Sequence, residues 1–283
     1  MKQQIVDLWR LGRRPVGVDP AIPELNQESG AGVASAPTKE GAPLIRGAAS
    51  TVSETRAGAD DARRQKEFAA ARNANCKAVL AGIDSACWQR LRAHWEDKDA
   101  KHYHENYLKY FDLERWCPQA VVVAMQAGLT EGPRRRVLDI GCGSGLLLRV
   151  CKHFGHDVVG IDVGNPMFMA MCEALEVRCV ADMILPGKRL PAELQGFDVI
   201  TAVSPKFYRG EVIPGRPLDN VWDDEAWDFF LADLASRLHE DGFFFGKFNH
   251  NHELSPRMLE RATRRQFVTE PGLRFVLPRG ELT

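Results

Sequence analysis

The sequence predicts an α/β fold: a doubly wound, mostly parallel sheet with a final antiparallel strand, preceded by helices and a disordered N-terminal arm. Three observations lead there. From about residue 131, short apolar runs alternate with amphipathic segments, the pattern of β-α-β units with right-handed crossovers. The first apolar run, RRRVLDIG (134–141), leads directly into a cluster of glycines, VLDIGCGSG (137–145). The chain closes on QFVTEPGLRFVLP, which reads as a short hairpin and supplies the antiparallel strand.

Each element follows from local chemistry. Residues 66–81 and 84–95 are helical in pattern, and 103–128 continues so, with Pro118 read as a new helix start. GLLLRVCKHFG (145–155) is a helix closed by Gly155. DVVGID (157–162) is strand-like, 165–176 helical and VRCVADM (177–183) strand-like. FDVITAVS (197–204) and GFFFGKF (242–248) are the fourth and fifth strands. Between them, residues 223–239 place Trp227, Phe230, Leu231, Leu234 and Leu238 on one helical face behind an acidic first turn. A last helix spans 255–265.

Domain boundaries come from the aromatics. No Phe, Trp or Tyr occurs between Trp9 and Phe68, a stretch that holds Pro15, Pro20, Pro23, Pro37 and Pro43 among many small residues. So little large apolar surface cannot offset the entropy of ordering. Residues 1–65 are therefore expected to be a disordered arm able to dock a protein partner, 66–130 a helical lid segment and 131–283 the α/β core.

Composition narrows the function classes. Thirty-seven Lys+Arg against 38 Asp+Glu leave a net charge of −1, no basis for general attraction to nucleic acid or an anionic membrane. No apolar run approaches the roughly 18 residues of a membrane span. The N-terminus has no apolar signal region, and seven cysteines without paired CxxC spacing suit reduced thiols, so a cytoplasmic location is expected.

The glycine cluster carries the chemistry. Glycines let the backbone turn sharply and let a ligand approach closely, and this first strand-to-helix turn is where a nucleotide-like cofactor sits in such sheets. A dinucleotide site requires G-x-G-x-x-G. Counting from Gly141 the third position is Leu146, and from Gly143 it is Leu148, so the pyrophosphate fingerprint is absent. The pattern present is D-x-G-x-G-x-G: Asp139, Gly141, Gly143 and Gly145. A carboxylate beside the turn would repel a pyrophosphate and suits a cationic amino-acid group.

On these residues the chain resembles the class I S-adenosylmethionine-dependent methyltransferases, over roughly residues 100–283. The resemblance implies S-adenosyl-L-methionine as cofactor, with Cys142 inside the loop as a small residue. It implies that Asp162, 23 residues past Asp139, holds the ribose hydroxyls. Asp182 would lie near the adenine amine, and Val163 and Met183 would line the sugar and base. Asp198, leading the fourth strand, is expected to be structural. Members that methylate planar amide or aromatic nitrogens carry N-P-P-Y or D-P-P-Y after the fourth strand, whereas here the residues are Ser204, Pro205, Lys206 and Phe207.

Ligands lie beyond the carboxyl ends of the strands. A hydroxyl acceptor must lose a proton as the methyl arrives, and histidine is the base suited to neutral pH. His250, His252 and Tyr208 are thus the catalytic candidates. His102, His104 and Tyr107 in the lid segment, with Lys206 and Arg209, are candidates for holding a small-molecule or saccharide acceptor. No metal is expected, because neither histidine cluster makes a zinc framework. A small-molecule amine as acceptor and a non-catalytic cofactor-binding role are the alternatives.

Overall fold

In the computed structural model, the described residues are 50–99, 107–205, 207, 222–249, 254–268 and 273–283, with side chains of 50–59, 61 and 97–99 left aside. They fall into two compact units divided between Ala71 and Arg72. His102, His104, Lys206, Tyr208, Arg209, His250 and His252 lie outside the described residues, as do residues 1–49.

The first helix, α1 (Ser50–Ala81), corrects the arm's boundary, since residues 50–65 are helical. A shortage of large apolar groups excludes a packed core but not a solvated helix. This stretch holds three Ala and three Arg, good helix formers, and Arg63 pairs along the helix with Asp60 and Glu67. Next come α2 (Ser85–Asp99), a 3-10 turn at Leu108–Phe111 and α3 (Leu113–Gln126). Pro118 does not start a helix; it lies inside α3. The start is set upstream by Asp112, whose carboxylate accepts from the Arg115 N–H.

The α/β part runs β1 (Arg136–Ile140), α4 (Leu146–His153), β2 (Asp157–Asp162), α5 (Pro166–Ala174), β3 (Arg178–Ala181), β4 (Phe197–Val203), α6 (Asp224–Arg237), β5 (Leu238–Phe248), α7 (Pro256–Arg264), β6 (Gln266–Val268) and β7 (Leu273–Pro278). The seven strands lie in the order β3-β2-β1-β4-β5-β7-β6. β1 to β5 pair in parallel, and β7 pairs antiparallel with both β5 and β6. The expected sheet, with its one reversed strand, is therefore present. β5 starts earlier than residue 242, because Leu238 already pairs with Phe197 before a register shift brings Phe243 opposite Val199.

Side chains alternate between two cores, as the two-residue period of a strand requires. Val137, Val199 and Phe245 face a core shared with α3, α4 and α5, while Leu138, Ile200 and Phe244 face one shared with α6 and α7. Asp198 accepts from the Arg136 N–H at 2.7 Å, joining β4 to β1, a structural contact as expected. Among the described residues, no helix is long and apolar enough to cross a membrane.

Candidate functional site

At β1 to β4 the strand order reverses, with β2 and β3 on one side of β1 and β4 and β5 on the other. In open α/β sheets ligands bind beyond the carboxyl ends of the strands at such a reversal. The glycine turn follows β1 at this reversal. Gly141, Gly143 and Gly145 have φ of 68°, 51° and 76°, the left-handed region that side chains disfavour. A Cβ on Gly141 would stand 3.1 Å from Pro205, so glycine here also lets the exit of β4 come down onto the turn.

Main-chain and side-chain bonds draw the predicted residues together. Gly141 N–H donates to the Ile161 carbonyl at 2.8 Å, and Gly143 N–H to Asp162 Oδ2 at 2.9 Å. Asp182 N–H in turn donates to the Asp162 carbonyl at 2.9 Å. The ends of β1, β2 and β3 thus form one continuous rim. Burial pushes the Asp162 carboxyl up from its ordinary value, and the N–H groups of Gly143 and Val163 oppose that rise.

Asp139 lies deeper than the sequence suggests. It is only 3% exposed, and Thr201, its register partner on β4, donates its hydroxyl to Asp139 Oδ1 at 2.7 Å. Burial raises its pKa to about 7, against the lowering by Thr201. Cys142 is also buried, its sulfur packed over Gly160 of β2.

Past β2 the chain exposes apolar surface. Val163 is 63% exposed, and Met183 and Leu185, after β3, are 50% and 37% exposed. With Phe68 they are the exposed large hydrophobics among the described residues, and three of the four cluster beside Asp162 and Asp182. Apolar groups beside a hydrogen-bonding rim fit the flat base and hydroxylated sugar of a nucleoside. Asp182 Oδ1 receives the Met183 N–H at 2.9 Å and the Lys188 ammonium. Asn165 caps α5 by accepting from Met167 and Phe168 N–H. Tyr107 packs against Phe168, ring centroids 5.2 Å apart, bringing the one described residue of the lid triplet to the first turn of α5.

Residues 137–212 match a family model described as a methyltransferase domain. That stretch, which holds the glycine turn and the ends of β2 to β4, is similar to a methyltransferase domain. Curated relatives of the chain include a ubiquinone biosynthesis O-methyltransferase of Photobacterium profundum, 35% identical over 72 residues, 24% of this chain and 31% of that protein. A tRNA U34 carboxymethyltransferase of Ectopseudomonas mendocina is 33% identical over 93 residues, 31% of this chain and 27% of that protein. The match to this chain thus spans less than a third of the length of these curated relatives. A TehB-like SAM-dependent methyltransferase structure from Corynebacterium glutamicum aligns with 60% of this chain and 96% of that chain, at 19% identity and a TM-score of 0.41.

Sequence reasoning missed the roles of several residues around this rim. Ser204, directly after β4, has φ of 53° although it is not glycine. Its N–H donates to the Lys247 carbonyl at 2.7 Å, and its hydroxyl to Asn249 Oδ1 at 3.0 Å. Lys247 has its pKa lowered by burial and then by Arg274. Thr201 and Lys188 complete the set. The signal available for Ser204 and Asn249 was position alone, one residue past the ends of β4 and β5.

Proposed function

We propose that this protein transfers a methyl group from S-adenosylmethionine to the hydroxyl oxygen of a small-molecule or saccharide acceptor. When bound, the cofactor supplies an electrophilic methyl carried on a sulfonium. The chain's own residues then bind and align. Asp162 serves the ribose hydroxyls, Val163, Met183 and Leu185 cover the base, and Asp139 with the glycine turn receives the amino-acid end. Alignment of the two reactants provides much of the acceleration.

The observation that carries the hydroxyl reading is the exit of β4. Ser204, held in the left-handed region by Lys247 and Asn249, delivers Ser-Pro-Lys-Phe rather than the N-P-P-Y pattern of planar-nitrogen methylation. Strain of about 1–3 kcal/mol at such a residue persists where the surroundings over-determine it, typically at a functional site. Relatives named ubiquinone biosynthesis O-methyltransferases, from Photobacterium profundum and Hahella chejuensis, support oxygen as the acceptor atom. In this reading His250 or His252, which follow Asn249 in the chain, takes the hydroxyl proton, and Tyr208, Lys206, Arg209, His102, His104 and Tyr107 orient the acceptor.

Relatives that act on tRNA and rRNA favour a second reading. The arginines of α7 count against it. Arg264 pairs with Glu260, Arg265 just past the helix with Glu281, Arg261 with Asp228, and Arg257 with Asp224 and Asp228, so four carboxylates neutralise this basic run within the protein. Transfer of labelled methyl to phenolic and saccharide hydroxyls, small amines and RNA tests the choice. Label appearing in hydroxyl acceptors supports the proposal, and label confined to amines or RNA overturns it.

A further inference from the structure

Three thiols from three separate elements meet under the glycine turn. Cys142 lies in the turn, Cys172 on α5 and Cys179 on β3. Their sulfurs all lie within 4.8 Å of one another, with Cys142 and Cys179 at 3.5 Å. Cys142 and Cys172 are buried and Cys179 is half-buried.

Missing side chains make the space they occupy. β2 runs between β1 and β3, and its Gly160 pairs with Asp139 on one side and Cys179 on the other. A Cβ on Gly160 would stand 2.5 Å from Cys142 Sγ, and one on Gly145 would stand 2.8 Å from Cys172 Sγ. Two glycines on different elements therefore admit the sulfurs. The carbonyl oxygen of Gly143 lies 3.5 Å from Cys172 Sγ.

These separations have a coordination meaning. Zinc–sulfur bonds of about 2.3 Å in tetrahedral array set sulfurs roughly 3.8 Å apart, and a sulfur and an oxygen ligand roughly 3.6 Å apart. The sulfur triangle needs shifts of at most about 1 Å to meet that geometry, and the Gly143 oxygen already stands at about the required distance from Cys172 Sγ. Thiolates select soft or borderline cations over magnesium or calcium. We propose that Cys142, Cys172 and Cys179 form a binding site for a thiophilic divalent cation of the zinc class, with the Gly143 carbonyl oxygen at the fourth corner. Each thiol releases its proton to solvent as its metal–sulfur bond forms, three protons for one cation. Because Cys142 and Gly143 belong to the glycine turn, the bound ion locks that turn to α5 and β3.

The test uses the full chain, reduced and stripped of metal by chelation. Cadmium is titrated in while thiolate-to-metal charge-transfer absorption is followed, and zinc is then supplied in competition with a chromophoric chelator. One equivalent per chain is expected, with X-ray absorption of the zinc form showing a shell of three sulfurs. Cys172→Ser and Cys179→Ser should each lose stoichiometric uptake, while Cys87→Ser and Cys117→Ser retain it. No stoichiometric uptake by the wild-type chain, a shell of nitrogen and oxygen, or uptake that survives both Cys172→Ser and Cys179→Ser would each overturn the assignment. The wild-type spectra decide even if a variant fails to fold, which circular dichroism reports.

Discussion

Asp162 Oδ2 accepts the Gly143 N–H at 2.9 Å, so the last residue of β2 holds the glycine turn that follows β1. One carboxylate thereby shapes the turn and, in the proposed function, also serves the ribose. Asp162→Ala removes both contributions, and a hydrogen bond to a charged group contributes about 1.5–3 kcal/mol. Affinity for S-adenosylhomocysteine, read by calorimetry, should fall about 10- to 100-fold. Unchanged affinity would remove Asp162 from the site.

Asp139 makes the site sensitive to pH. Its pKa is raised by burial to about 7 from the ordinary 3.8, so folding favours its protonated form. Its contribution to stability is fully present below about pH 4 and is lost as pH rises through about 7. Asp139→Asn should flatten that component of the Tm–pH profile. The cofactor's cationic amino group favours the ionised carboxylate, so wild-type affinity should weaken as pH drops below 7, and the variant's should not. Parallel profiles for the two proteins would rule out Asp139 as the group sensed.

The apolar shelf should serve the ligand and not the fold. Val163, Met183 and Leu185 are exposed, and surface substitutions usually change stability by within about 0.5 kcal/mol. Val163→Ser with Met183→Ser should leave urea unfolding unchanged and raise the dissociation constant for S-adenosylhomocysteine several-fold. A large stability loss with affinity intact would make these residues core instead.

Gly160→Ala should overpack the thiol cluster. The new methyl would meet Cys142 Sγ at 2.5 Å and Leu148 Cδ1 at 2.8 Å. Overpacking costs about 1–3 kcal/mol, visible as a lower urea midpoint. Adding Cys142→Ala should recover part of that loss, and a strictly additive double variant would show that the contact is not the cause.

Arg237 secures the loop between β3 and β4. It and Asp233 are both 3% exposed and joined by two hydrogen bonds of 3.0 Å, and Arg237 also donates to the carbonyls of Leu190, Pro191 and Leu194. Arg237→Ala leaves the Asp233 carboxylate buried without a countercharge, with the Leu190 N–H still donating to it, a loss of about 3–5 kcal/mol. Denaturation that moves by less than about 1 kcal/mol would refute this role.

Alternation of apolar runs and the D-x-G-x-G-x-G spacing made the sheet and the cofactor turn legible, because both are local patterns. Asp162 was legible by its distance from Asp139. Thr201 was not, since it becomes a partner of Asp139 only through the β1–β4 register. The meeting of Cys142, Cys172 and Cys179 depends in the same way on Gly160 standing between β1 and β3. Helix formation at residues 50–65 was hidden because aromatic content reports on cores and says nothing of a solvated helix. Pro118 misled because a proline can sit one turn inside a helix that an upstream aspartate has already started.

The most direct test of the central claim is calorimetric titration of the purified chain with S-adenosylmethionine and S-adenosylhomocysteine. One equivalent of either should bind, and Asp162→Ala should bind more weakly. Absence of heat and of any thermal stabilisation at millimolar ligand would contradict the assignment of the glycine turn as a cofactor site.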